Sequence, residues 1–273
     1  MSEQKSKIFL AIILAIVSVL LISAVSYTFP VRATIPLNVE FVVGEKMVYD
    51  TTTSKISQTN NNADNSSSSS LTGESVDSTK DILEVLDFDG QSYTLNHTVT
   101  TSNASSTLTS FQQKIDKIGI STYFVEIGNQ SVNISNAGSY AYVSNVIEKL
   151  TDKPQVRVGD TWRIPYETRS GVETSGDLIV TFYGFENLTV PAGTYNVFRV
   201  GIKSENLNYH YTSSNNGFNA NVAENFNVQM YLEYGSLRQI KWTMQDSISA
   251  EAPMNELSGN YLTEMVLVEH IIP

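Results

Sequence analysis

An all-β domain behind a single N-terminal transmembrane helix is the fold class that this 273-residue chain predicts. Three observations predict it. Ile8 to Val25 form an apolar run without Asp, Glu, Lys, Arg, Asn, Gln, Pro or Gly. From Asn38 onward, Val, Ile, Thr, Tyr and Phe alternate with polar residues at the period of two that suits a strand with one buried and one wet face. Helix signals after residue 30 are confined to Ser144–Leu150, where Ser144 caps one or two turns and Pro154 stops them.

The apolar run is long enough to span. A helix rising about 1.5 Å per residue needs roughly 17–25 apolar residues to cross hydrocarbon about 30 Å thick, and its backbone satisfies its own hydrogen bonds there. Lys5, Lys7 and the terminal amine precede the run and Arg32 follows it, so the positive-inside bias places the bulk of the chain outside the cytoplasm. The expected division is a cytoplasmic tail over 1–7, a signal-anchor helix over 8–26, a linker over 27–37 containing Pro30 and Pro36, and an extracytoplasmic β domain over 38–273. Secretory signal peptides have a shorter apolar core, about 7–15 residues, which favours the uncleaved anchor. Ala24, Val25 and Ser26 before Tyr27 also form an acceptable cleavage site, so a secreted form stays open.

Within the β domain, Val43-Gly44-Glu45 is a turn that delivers a first alternating strand. Ser57–Ser70, with its runs of Asn and Ser, reads as a mobile loop over 57–72 between two long strands. Ile82–Asp87 and Tyr93–Val99 flank Asp89-Gly90, a dipeptide suited to a tight primed hairpin turn that needs positive φ. Leu178–Phe185 and Tyr195–Ile202 form a second hairpin, in which Pro191 fixes φ and Gly193 permits the reversal. Asn206–Asn227 reads as strands with a long connection. Val228, Met230 and Leu232 share a face, as do Ile240, Trp242 and Met244, and Tyr261–Ile271 closes the domain. One internal echo is visible: Val43-Gly44-Glu45-Lys46-Met47-Val48-Tyr49 is like Val158-Gly159-Asp160-Thr161-Trp162-Arg163-Ile164. It implies two β units meeting near residue 150.

Composition excludes several classes of function. The chain has 17 Lys+Arg against 28 Asp+Glu; without Lys5, Lys7 and Glu3 the part after residue 30 holds 15 against 27, a net charge near −12. Such a surface repels phosphate backbones, so no nucleic-acid partner is expected. The absence of Cys removes disulfides, thiol nucleophiles and a lipid-modified N-terminal Cys. His97, His210 and His270 lie far apart without metal-ligand spacing, and Asp87-x-Asp89-Gly90 lacks the further acids of a calcium loop. No Gly-x-Ser-x-Gly elbow or phosphate-cradling glycine loop occurs. No catalytic, cofactor or metal residue is therefore predicted. Asn65, Asn96, Asn103, Asn129, Asn133 and Asn187 are N-glycosylation acceptors by sequon.

Three segments carry a family resemblance. Gly159-Asp160-Thr161-Trp162, then Phe185-Glu186-Asn187-Leu188-Thr189-Val190-Pro191-Ala192-Gly193-Thr194-Tyr195, then Tyr231-Leu232-Glu233-Tyr234-Gly235-Ser236-Leu237-Arg238 resemble exported β-rich domains of unknown function in bacteria and archaea. Those domains combine a Gly-Asp-x-Trp entry, a Val-Pro-Ala-Gly-Thr-aromatic hairpin and a closing Trp-Tyr…Gly…Val-Lys. Here Leu232 stands in for the aromatic and Gly235-Ser236-Leu237-Arg238 for the last motif. The resemblance covers about residues 156–245. It implies a curved antiparallel sheet similar to the LolA-like half-barrel of periplasmic lipoprotein carriers, which wraps an apolar cavity.

Late aromatic residues fit that picture, and Trp162, Phe182, Phe198 and Trp242 are the candidate ligand-lining set. The function expected is a membrane-anchored, non-enzymatic cell-envelope protein that holds a lipid or other apolar or amphiphilic ligand in its curved sheet. The alternative is a structural or adhesive glycosylated surface protein with cell-envelope protein partners, using β edges, glycans or the segment Ile35–Val43 as an added strand. A hydrolase using an unmarked pair of acids comes third.

Overall fold

The computed structural model describes residues 33–34, 39–61, 68–101, 107–117, 121–127, 130–133, 155–165, 173–213, 218–252 and 255–273. These residues form β1 (Ala33–Thr34), β2 (Lys46–Asn61), β3 (Ser68–Phe88), β4 (Ser92–Thr101), β5 (Thr107–Asp116), β6 (Ser121–Ile127) and β7 (Gln130–Asn133). The second half supplies β8 (Gln155–Val156), β9 (Thr161–Pro165), β10 (Glu173–Val190), β11 (Gly193–Ser213), β12 (Phe218–Glu233), β13 (Gln239–Ala252) and β14 (Asn255–Ile271). Twelve strands build one large curved antiparallel sheet in the order β7-β6-β5-β4-β3-β2-β14-β13-β12-β11-β10-β9, and it does not close. It consists of two successive six-strand meanders, β2–β7 and β9–β14, joined where the last strand lies against the first: Met265 opposes Thr51 and Leu267 opposes Tyr49.

Both meanders open with the same turn, and the internal echo encodes it. Gly44 and Gly159 adopt φ of 90° and 88°, a region open to glycine at little cost. Glu45 N–H donates to Val42 C=O at 2.8 Å, as Asp160 N–H does to Arg157 C=O at 2.9 Å. Each acid then turns back: Glu45 Oε2 accepts from Val42 N–H and Asp160 Oδ2 from Arg157 N–H, both at 2.9 Å. The glycine amides donate to Val85 and Phe182 carbonyls, both at 2.8 Å, which fixes the register of the following hairpin. A bulge sits at the matching point of each, at Val85/Asp87 and Phe182/Gly184.

Three expectations change. Segment 57–72 is strand at both ends: Ser57 pairs Thr72 and Asn61 pairs Ser68, while Asn61 also pairs Asn255. A strand flanked on both sides uses its backbone N–H and C=O groups in ladders, so polar side chains do not prevent order. The hairpin at Asp89 has a three-residue turn in place of the primed pair. Only Gly90 has positive φ, 94°, and Asp89 Oδ1 accepts from the amides of Gln91 at 2.9 Å and Ser92 at 2.7 Å. The linker is not wholly irregular either, because Ala33 pairs Val156 and Thr34 pairs Gln155. The tail 1–7, the run 8–26, the Ser144–Leu150 helix and Asn65, Asn103 and Asn129 lie outside the described residues, among which no helix is long and apolar enough to cross a membrane.

Most of the core lies on one face of the sheet, the inner face. Leu178, Val180, Phe182, Phe198, Val200, Ile202 and Ile240 are fully buried, joined by Met47, Tyr49, Val85, Leu95 and Leu267 from the first meander and its joint. The predicted alternation of Val228, Met230 and Leu232, and of Ile240, Trp242 and Met244, sets their common face inward.

Candidate functional site

Register arranges the inner face in rows. One row runs Phe182, Val200, Met230, Trp242, Met265, Thr51 and Thr79. The next runs Trp162, Val180, Ile202, Val228, Met244, Thr263 and Thr53. The first row is apolar through the second meander and turns to hydroxyls at Thr51, and the second turns one strand earlier, at Thr263 of β14. Burial changes along the same path. Val180, Phe182, Val200 and Ile202 are closed off, whereas Val228, Trp242, Met244 and Met265 are only partly buried. A strip of apolar side chains therefore borders a belt of threonines, and two of those, Thr53 and Thr263, share a hydroxyl hydrogen bond at 3.1 Å.

All four predicted lining residues share this inner face, by the pairs Val180–Trp162, Phe182–Val200 and Met230–Trp242 and by Phe198 opposite Leu232. Phe182 and Phe198 are at 0% exposure and are core; Trp162 and Trp242 keep accessible surface. Sequence reasoning missed Met265, Val228 and the threonines as companions of Trp242. Their signal was the alternation itself, carried across strands.

Beyond the strip the face becomes acidic. Asp246 opposes Phe226 and Tyr261, with Glu224 on the adjoining strand. Its Oδ1 is buried without a hydrogen-bond partner among the described residues. Burial first, and the Glu224 charge second, push its carboxyl up to about 6. Lys55 lies over the Tyr261 ring at 5.3 Å on the same row.

At the end of the sheet where the turns of both meanders lie, a buried ionic cluster ties them together. Glu45 is at 0% exposure; its Oε1 meets Arg238 at 2.6 Å and His270 Nε2 at 2.8 Å. Arg238 also pairs Glu233 and lies over the Phe41 ring. His270 Nδ1 faces the Tyr195 hydroxyl at 3.4 Å. The chain Glu45–His270–Tyr195 has the order of a proton relay, but burial and the nearby Glu233 raise the Tyr195 pKa and hold the phenol protonated. Tyr49, fully buried, donates to Gln239 C=O at 2.9 Å, and its pKa is raised by burial. The cluster positions strands.

The three histidines are placed apart. His97 stacks on Phe111, with Nε2 at 2.8 Å from Gln113 Oε1 and Nδ1 at 3.4 Å from Asp81. His210 meets Asn221 Oδ1 at 2.6 Å. Among the described residues no group of three or more His, Asp and Glu is placed to hold a metal ion. Asn187 is exposed on β10, while Asn96 is half-buried and bonds Thr98 and Ser110. Asn133 falls in β7.

No protein-family model matches the chain, and no curated protein does. Solved structures similar to it include a protein from Bacteroides fragilis provisionally described as exported, with a YmcC-like fold: identity is 11%, TM-score 0.37, covering 88% of this chain and 100% of that one. Another, from Parabacteroides distasonis and provisionally described as a lipoprotein, has 9% identity and TM-score 0.36, over 88% of this chain and 99% of that one. A DUF1329 family protein from Desulfovibrio piger has 10% identity and TM-score 0.21, over 78% and 83%.

Proposed function

We propose that the chain is a membrane-anchored, extracytoplasmic, non-enzymatic β-sheet protein that holds an amphiphilic ligand against the inner face of its sheet. The observation that carries this reading is the half-open strip of Val228, Trp242, Met244 and Met265 on a face whose neighbouring residues are closed. Methionine and tryptophan suit such a surface, because a flexible thioether and a broad ring adapt to a chain without fixed shape. An acyl chain laid on the strip gains about 0.8 kcal/mol per methylene buried. Its polar head then meets the hydroxyls of Thr51, Thr53 and Thr263. The apolar run Ile8 to Val25 supports the location.

The test combines extraction with titration. Mass spectrometry of lipid extracted from the purified full-length chain should find a bound amphiphile. With Trp162→Phe leaving Trp242 as the sole tryptophan, a single-chain lysophospholipid should shift its emission to the blue, and Met244→Asp should abolish the shift. A chain that carries no lipid and shows no shift would sink the reading. A structural or adhesive role is the second reading, favoured by β7 and β9, the outer strands of the sheet among the described residues. The segment Ile35–Val43 supports it less, since Val39 N–H already donates to Lys117 C=O of the same chain at 2.8 Å. Concentration-dependent assembly in sedimentation would favour that alternative.

A further inference from the structure

We infer that the turn-bearing end of the sheet, where the linker enters, is a lipid-docking surface on which the domain stands against the membrane. This deepens the anchor reading and rests on it. A meander sends alternate turns to opposite ends, so the turn before β2, the turn before β9, the Tyr234–Leu237 turn and the C-terminus share one end. That end carries exposed apolar side chains among exposed charged ones such as Glu40, Asp89 and Asp160. Val43 is 50% exposed, Val158 67% and Ile272 59%, and Val42, Phe185 and Tyr234 are exposed beside them. The residues form a rim of two patches, one of Val42, Val43 and Ile272 and one of Val158, Phe185 and Tyr234. The Phe185 and Tyr234 rings meet edge to face at 5.5 Å, Val158 lies against Gly184, and Pro273 lies against Gly44. Glu45, Arg238 and Glu233 bridge the two parts from beneath.

The chain leading in says what covers this rim. Ala33–Thr34 is pinned to Gln155–Val156, two residues before Val158. Only residues 27–32 separate that pin from the end of the expected anchor helix over 8–26. Six extended residues reach about 20 Å at most, so an inserted anchor holds the rim next to the bilayer while the strands project away from it. Apolar side chains at that distance find the interfacial zone, where burial replaces exposure to water. The acidic balance of the domain selects a zwitterionic surface in preference to an anionic one.

The chain has no native Cys, so single-site spin labels report cleanly. The full-length chain, reconstituted in phosphatidylcholine vesicles, takes labels at Val43→Cys, Val158→Cys or Ile272→Cys, with Leu262→Cys on a strand and Ser18→Cys in the apolar run as references. Collision with oxygen, which concentrates in lipid, should exceed collision with a water-soluble nickel chelate severalfold more at the three rim sites than at position 262. Paired Val43→Asp and Val158→Asp substitutions should return a label at position 272 to water while circular dichroism stays unchanged. Rim labels as wet as position 262, with Ser18→Cys in lipid, would overturn docking and leave the anchor standing. Rim labels shielded from both reagents would overturn it in favour of a second copy of the chain. A wet label at position 18 would overturn the anchor and docking together.

Discussion

Glu45 is a carboxylate out of water, held by Arg238 and His270. Removing Glu45 takes the acid from His270 and leaves the buried Arg238 with Glu233 alone. Glu45→Ala should therefore cost about 3–5 kcal/mol, read as a lowered midpoint in denaturant unfolding. Arg163, exposed between Asp177 and Glu205, gives the contrast. Those charges are screened by solvent, and Arg163→Ala should leave the denaturant midpoint close to that of the unaltered chain. Asp246 makes a pH prediction. With its carboxyl pushed up to about 6 when folded, the native state keeps a proton that the unfolded chain releases from about pH 4 upward. Stability should fall as pH rises through that window, by on the order of 1 kcal/mol once solvent screening of a half-exposed group is allowed for. Thermal unfolding from pH 4 to pH 7 checks it: Asp246→Asn should flatten the slope, and an unchanged slope would assign the titration elsewhere.

The twin turns are the element on which both meanders depend. A Cβ at Gly159 would meet nothing within 4 Å, and one at Gly44 would meet only Pro273 at ordinary contact distance. Positive φ is then the main penalty at both. Gly44→Ala and Gly159→Ala should each cost about 1–2 kcal/mol, with similar shifts in denaturant midpoint; a neutral effect at either would show that its turn is not strained. This element was legible in the sequence because glycine and acid chemistry is local, and Val43-Gly44-Glu45 and Val158-Gly159-Asp160 carry it openly. The polar strand ends were not legible. Ser57–Asn61 is ordered through partners in β3 and β14, and the β14 partners lie far along the chain. The same limit applied to the candidate site. Alternation assigned Trp242 and Met244 to one face, but curvature decides which part of that face is covered, so Phe182 and Phe198 became core. Likewise nothing local announces that Glu45 meets His270, 225 positions away.

At the scale of the molecule, an open sheet places its chemistry by gradient. The inner face runs from closed apolar packing through a half-open strip to hydroxyls and carboxylates, while one end gathers the exposed apolar turns and the linker. On the function and docking proposed above, a single sheet would separate a surface for a small amphiphile from a surface for a bilayer. The joint between β2 and β14 also has a consequence in time. Synthesis makes β2 first among the long strands and its partner β14 last, so one flank of β2 has to wait for nearly the whole domain. During that wait an apolar, unpaired strand would recruit a neighbouring nascent chain. The middle and far end of β2 read Thr51-Thr52-Thr53-Ser54-Lys55 and onward to Gln58, Asn60 and Asn61, a composition poor in such attraction. The hydroxyl belt proposed to meet the head of a ligand is also what lets the oldest strand of the sheet stay solitary until the youngest arrives.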